Sequence, residues 1–161
     1  MEEAGVGLGS NLGDKTGWIK AALAGLDRLP SSRLKMASGL YRTQPVGYLD
    51  QDWFINAAAV VETSLSPGDL LAGLLEIESS LGRIRTEKWG PRLIDLDLLY
   101  YGRKIISENG LVLPHPHLDR RRFVLAPLAE VAAQWVHPIL GLTPGQMLAL
   151  LPEEGQEVIR L

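Results

Sequence analysis

Apolar residues alternate from Ala4 to Leu8, which predicts a short strand that breaks at Gly9-Ser10-Asn11-Leu12-Gly13. Trp18, Ile19, Ala22, Leu23 and Leu26 then recur at helical spacing, behind Asp14 as a cap and ahead of Pro30 as a stop. Residues 33–43 alternate loosely and predict one strand, and 54–63 predict another, with a polar, turn-rich loop between them. Ser66-Pro67-Gly68-Asp69 has the make-up of a helix start, and the helix it opens runs to Leu81 before Gly82 ends it. After an Arg-rich loop come a strand over 94–99, a Gly102 turn into 104–106, a segment 111–113 closed by Pro114, and helices around 123–131 and 143–151. The order βαββαβ predicts an α+β fold of ferredoxin-like type, an antiparallel sheet with helices on one face, in one domain spanning residues 1–161.

The strand beginning at Ile94 departs from simple amphipathicity. Side chains two apart on a strand share a face, so Asp95 and Asp97 point one way while Ile94, Leu96 and Leu98 point into a core. Two carboxylates about 7 Å apart repel and call for a divalent cation. Mg²⁺ fits best, because it takes one or two carboxylates and fills its remaining positions with water and phosphate oxygens. Arg83, Arg85 and Arg92 lie just upstream and match phosphate oxygens bidentately, and Trp89-Gly90-Pro91 makes a stiff loop among them. The bland alternative is the wet face of a half-exposed sheet, but such a strand has no use for the arginines or the loop.

Composition narrows the function classes. A chain of 161 residues is long enough to bury about 70% of its unfolded surface. With 46% hydrophobic and 22% charged residues and a net charge of -3, it reads as an ordinary soluble protein, and its slight acidity argues against general nucleic-acid binding. The absence of cysteine excludes disulfides, zinc-thiolate sites and thiol chemistry. Neither a membrane span nor a signal-peptide pattern is seen, so the expected location is the cytoplasm, with no membrane partner.

Other polar residues sit where structure alone does not ask for them. Glu78 falls on the buried stripe of its helix, four residues after Leu74, and needs an arginine or a ligand group as partner. His115 and His117 precede Asp119 and the run Arg120-Arg121-Arg122; phosphate contact suits a histidine beside arginines better than metal binding does. Phe54 and Phe123, the only phenylalanines, flank the polar segments and could sandwich a flat ligand as readily as fill a core. Gly7 to Gly13 has one residue too many for a dinucleotide fingerprint, and Asp14 stands where a P-loop needs glycine before Lys15. That stretch reads as a glycine-permitted turn into a capped helix.

Taken in order, Gly9-Ser10-Asn11-Leu12, Tyr41-Arg42-Thr43, Phe54 to Ala58, Glu78 with Gly82 to Arg85, Lys88 to Leu99, and Pro114-His115 with Arg121 and Phe123 resemble the 6-hydroxymethyl-7,8-dihydropterin pyrophosphokinases of folate biosynthesis. The resemblance covers essentially the whole chain. It implies transfer of the pyrophosphoryl group of ATP to the pterin hydroxymethyl oxygen, giving AMP and the pterin diphosphate. It further implies that Asp95 and Asp97 hold two Mg²⁺ ions, and that Arg83 and Arg92 act catalytically beside them. Glu78, Arg85, Arg92, Leu98, His115 and Arg121 would bind ATP; Thr43, Val46, Phe54, Asn56, Trp89 and Phe123 would bind the pterin. The partners implied are these two small molecules, and the chain is expected to be a monomer rather than an oligomer.

Gln44, Pro116 and Gly110 depart from residues common in such proteins, which bears on adenine contact and loop closure rather than on the reaction. Two rivals stay open at this point. A metal-dependent phosphohydrolase would use the same aspartates and arginines with water and no aromatic sandwich. A non-catalytic nucleotide-binding module of the same fold would have little reason to keep both carboxylates.

Overall fold

A computed structural model describes residues 1–45, 51–82, 93–152 and 155–161. Strand β1 (Glu2–Ser10) runs through the centre of the main sheet, sending Ala4, Val6 and Leu8 to one face and Gly5, Gly7 and Gly9 to the other. Helix α1 (Lys15–Asp27) begins where Asp14 Oδ1 accepts the Gly17 N–H at 3.1 Å. Strands β2 (Ser32–Ala37) and β3 (Tyr41–Thr43) follow, then β4 (Phe54–Thr63). Helix α2 (Pro67–Ser80) starts on the Ser66 hydroxyl, which accepts from Asp69 N at 3.1 Å, and it ends before Gly82 at φ 85°. Strand β5 (Asp95–Tyr101) completes the sheet core, and β6 (Ile106–Glu108) and β7 (Leu111–Leu113) form a separate hairpin. A 3₁₀ turn (Leu118–Arg120), α3 (Arg122–Val131), α4 (Pro144–Ala149) and β8 (Val158–Arg160) close the chain.

The main sheet is antiparallel in the order β5-β1-β4-β3-β8, with β2 paired to the far half of β4. This is the α+β, ferredoxin-like arrangement expected from the sequence, with two differences. The strand predicted over 33–43 is interrupted, because Ser38 meets Ala58 through both its N–H and its hydroxyl while the Gly39 N–H turns to Glu130. Helices also cover both faces rather than one: α1 and α2 bury Ile19, Ala22, Leu26, Leu70, Leu74 and Ile77 against the β1 face bearing Val6 and Leu8. On the opposite face, Val124, Leu125 and Leu128 of α3 pack with Met147 of α4 on Ala58, Val60 and Leu99.

That second helical layer reaches only part of its face. Gly5 pairs with Tyr100 but Val6 with Leu98, so Leu99 is an extra residue in β5, and Tyr100 joins Leu99 on the α3 side. Its ring stacks on Trp135 at 4.1 Å between centroids, over the space left by the missing side chain of Gly5. At the opposite end of the same face, beside the start of α3, β4 and β5 carry polar residues and β1 carries only Gly7 and Gly9.

Candidate active site

Strand register builds the site. Gly9 is opposite Asn56 on one side and Asp95 on the other, and Gly7 is opposite Asp97. Paired residues share a face, so the aspartates of β5 and the asparagine of β4 flank a strip of bare main chain. The strip floors a cavity whose walls include Thr43, Phe54, Asn56, Asp95, Asp97, Arg121 and Phe123, with Gln44 beside Thr43. These residues come from β3 and the position after it, from β4 and β5, and from the entrance to α3; all but Gln44 were expected at the site from the sequence. Gly9, read as the start of a turn, is instead a strand residue, and with Gly7 of the predicted strand it forms the floor.

The apolar wall is held from behind. Asn11 Nδ2 donates to Gln51 Oε1 at 2.7 Å and to Asp52 O at 3.2 Å, and Lys15 Nζ donates to Trp53 O at 2.9 Å. The Arg42 guanidinium lies 4.5 Å from the centroid of the Trp53 ring. Together they fix the entry into Phe54. Asn56, itself buried, donates to the buried Thr43 hydroxyl at 2.5 Å, so its amide plane is set before any ligand arrives. Across the cavity, the Arg121 guanidinium sits 5.6 Å from the Phe123 ring centroid.

Asp95 and Asp97 are half-buried and face the cavity together. Among the described residues no third His, Cys, Asp or Glu joins them in a metal-binding group. Two carboxylates on a glycine floor, with open space on the ligand side, fit Mg²⁺ that completes its shell with water and phosphate oxygens. Glu78 lies on α2, buried, and accepts the Leu96 N–H through Oε2 at 2.6 Å. It thereby holds β5 at the residue between the two aspartates. The side chain of Leu98 is buried on the α1–α2 side of the sheet, so any ligand contact there falls to its main chain.

His115 N–H donates to Leu99 O at 2.8 Å, and its Nδ1 accepts the His117 N–H at 3.2 Å. With Nδ1 as acceptor, the neutral ring carries its proton on Nε2, a donor suited to a phosphate oxygen and not a base. Burial, reinforced by the positive Arg121, pushes its pKa down to about 4, against a smaller opposing pull from Asp95. The unfolded chain takes up a proton near the ordinary 6.5 and the folded chain only near 4, so stability is whole above 6.5 and falls as pH drops through this window. Urea unfolding at pH 7, 5.5 and 4.5 should show a shallower loss in His115→Gln than in the parent; parallel losses would contradict this assignment.

Val46, Arg83, Arg85, Trp89 and Arg92 lie outside the described residues. No helix among the described residues is long and apolar enough to cross a membrane.

A sequence model of the 7,8-dihydro-6-hydroxymethylpterin-pyrophosphokinase (HPPK) family matches residues 5–133. The chain belongs to this family. It is 46% identical over 157 residues, 98% of both chains, to the 2-amino-4-hydroxy-6-hydroxymethyldihydropteridine pyrophosphokinase of Methylorubrum extorquens. Identity to the Pseudomonas aeruginosa protein of the same name is 44%, over 94% of this chain and 93% of that one. Among solved structures, the Plasmodium falciparum HPPK-DHPS crystallised with STZ-DHP superposes with a TM-score of 0.73 at 15% identity, over 92% of this chain. That likeness concerns the fold, and this chain spans 43% of the longer one. The HPPK match covers every residue named above that lines the cavity.

Proposed function

We propose that this chain transfers the pyrophosphoryl group of ATP to the hydroxymethyl oxygen of 6-hydroxymethyl-7,8-dihydropterin, releasing AMP and the pterin diphosphate, a reading supported by relatives named as pyrophosphokinases of this pterin. The observation that carries the reading is the joining of two unlike halves in one cavity: a carboxylate pair on β5, and a wall with Phe54, Asn56 and Phe123. A flat, hydrogen-bonding ring system fits between two phenyl rings with an asparagine at its edge. A phosphohydrolase needs only the first half.

The pterin hydroxymethyl oxygen forms a bond to the β phosphorus of ATP while the bond from that phosphorus to the α,β-bridging oxygen breaks. Asp95 and Asp97 would hold two Mg²⁺ ions against the triphosphate. Bound there, Mg²⁺ neutralises phosphate charge and orients the chain for in-line displacement. Arg121 and the Nε2–H of His115 steady phosphate oxygens, while Arg83, Arg85 and Arg92 act on the same charge. Trp89 helps cover the site, and Thr43, Asn56 and the chain near Val46 read the pterin edge. Glu78 serves ATP through β5, by keeping the two aspartates in place, and Leu98 through its main chain. Such transfer depends on positioning and charge more than on covalent help. The reading includes a monomer acting in the cytoplasm.

Ligand titrations test the division of labour. Phe54→Ala and Phe123→Ala should each weaken pterin binding by about 1–3 kcal/mol, roughly fivefold to a hundredfold, and leave ATP binding within about twofold. Equal losses for both ligands, or none for the pterin, would count against the ring pair.

A further inference from the structure

The HPPK match ends at residue 133, yet the last described stretch of the chain returns to the cavity. Arg121 occupies the capping position of α3 and makes no side-chain cap. The first amide of the helix, Arg122 N–H, donates instead to Gln156 Oε1 at 2.9 Å, from a residue 34 positions away. Nε2 of the same carboxamide donates to Arg120 O at 3.1 Å. One side chain therefore holds the main chain on both sides of Arg121.

The next residue grips the opposite wall. Gln44 N–H donates to Glu157 O at 2.9 Å, and Glu157 N–H donates to Gln44 Oε1 at 3.2 Å. Val158 then pairs with Thr43 in the β8–β3 ladder. The far end of α3 is secured separately, where Glu130 accepts from Gly39 N–H at 2.9 Å, Tyr41 hydroxyl at 2.7 Å and Arg160 Nε at 3.2 Å. The tail thus ties the β3 side of the cavity to the end of α3 that carries Arg121 and Phe123.

We infer that Gln156 is a positioning residue for the pterin site, setting the Phe123 wall against the Phe54 wall by capping α3 from the tail. The inference rests on the assignment of Phe54 and Phe123 to the pterin. An uncapped helix end samples other positions, and apparent affinity falls in proportion to the fraction of molecules with the wall in place. Saturating pterin restores the closed arrangement, so the loss appears in KM rather than kcat.

The test compares the parent with Q156A and Q156E by turnover, by thermal melting, and by titration with 6-hydroxymethylpterin in the presence of Mg²⁺ and a non-transferable ATP analogue. Q156A should raise the pterin Kd and KM about tenfold with kcat changed less than threefold. Q156E keeps the acceptor for Arg122 N–H and should recover the pterin Kd to within about threefold of the parent. An unchanged pterin Kd in Q156A overturns the inference, as does a fall in kcat at constant KM or an equal loss in both variants. Should Q156A fail to fold, Q156E decides: a Kd within threefold of the parent supports the role, and a tenfold rise overturns it. Phe123→Ala in the same titration separates the two layers. If it leaves pterin affinity intact, the wall assignment fails and the inference with it; if it weakens binding and Q156A does not, the tail role alone falls.

Discussion

Asp95→Asn and Asp97→Asn should each cut turnover by two or more orders of magnitude while the protein stays folded. Asparagine keeps the size and hydrogen-bonding capacity of aspartate but removes the charge that would hold Mg²⁺ against a polyphosphate. Metal charge stabilisation is worth several kcal/mol in such transfers, so the expected loss is about 100-fold to 10,000-fold. The folded state should survive in Mg²⁺-free buffer, since both side chains are only half-buried and asparagine keeps their size. Turnover assays beside melts with and without Mg²⁺ read both halves. Variants that melt well below the parent and keep near-normal turnover would show that the aspartates serve the fold.

Gly9→Ala should abolish most pterin affinity through a single methyl group. A Cβ on Gly9 would stand 2.6 Å from Asn56 Oδ1, closer than atoms tolerate. Asn56 is buried and already bonded to Thr43, so it gives way only by losing that bond or the position from which it reads a ligand. Leaving such a polar group misplaced costs about 1–3 kcal/mol, which predicts a roughly fivefold to hundredfold rise in pterin Kd. ATP binding, which rests on the β5 side, should change little. Calorimetric titration of each ligand separates the outcomes; equal losses for the two ligands would mean that the β1 floor serves the whole cavity without distinction.

Local chemistry was legible along much of the chain. The helix beginning at Ser66 and the strand Phe54–Thr63 were readable because caps and alternation act over a few neighbours. The pairing of Asp95 with Asp97 needed only the two-residue period of a strand. What could not be read depends on register and long-range partners. Gly9 looked like the start of a turn, and Gly7 like an ordinary strand position, until pairing placed them opposite Asn56, Asp95 and Asp97. Glu78 was visible as a polar residue on a buried stripe, but its Leu96 amide partner lies on another element. Strand β8 has only three residues, too few for a period, and it exists because β3 offers an unpaired edge. The second helical layer was missed for a similar reason, since α3 shows its apolar stripe but not the sheet face that receives it. Gln156 carries no local signal at all.

The most direct measurement incubates the protein with ATP, Mg²⁺ and 6-hydroxymethyl-7,8-dihydropterin and separates the nucleotide products. AMP is expected in equal amount to the pterin diphosphate, and none when the pterin is withheld. ADP and free phosphate formed at the same rate without the pterin would contradict it.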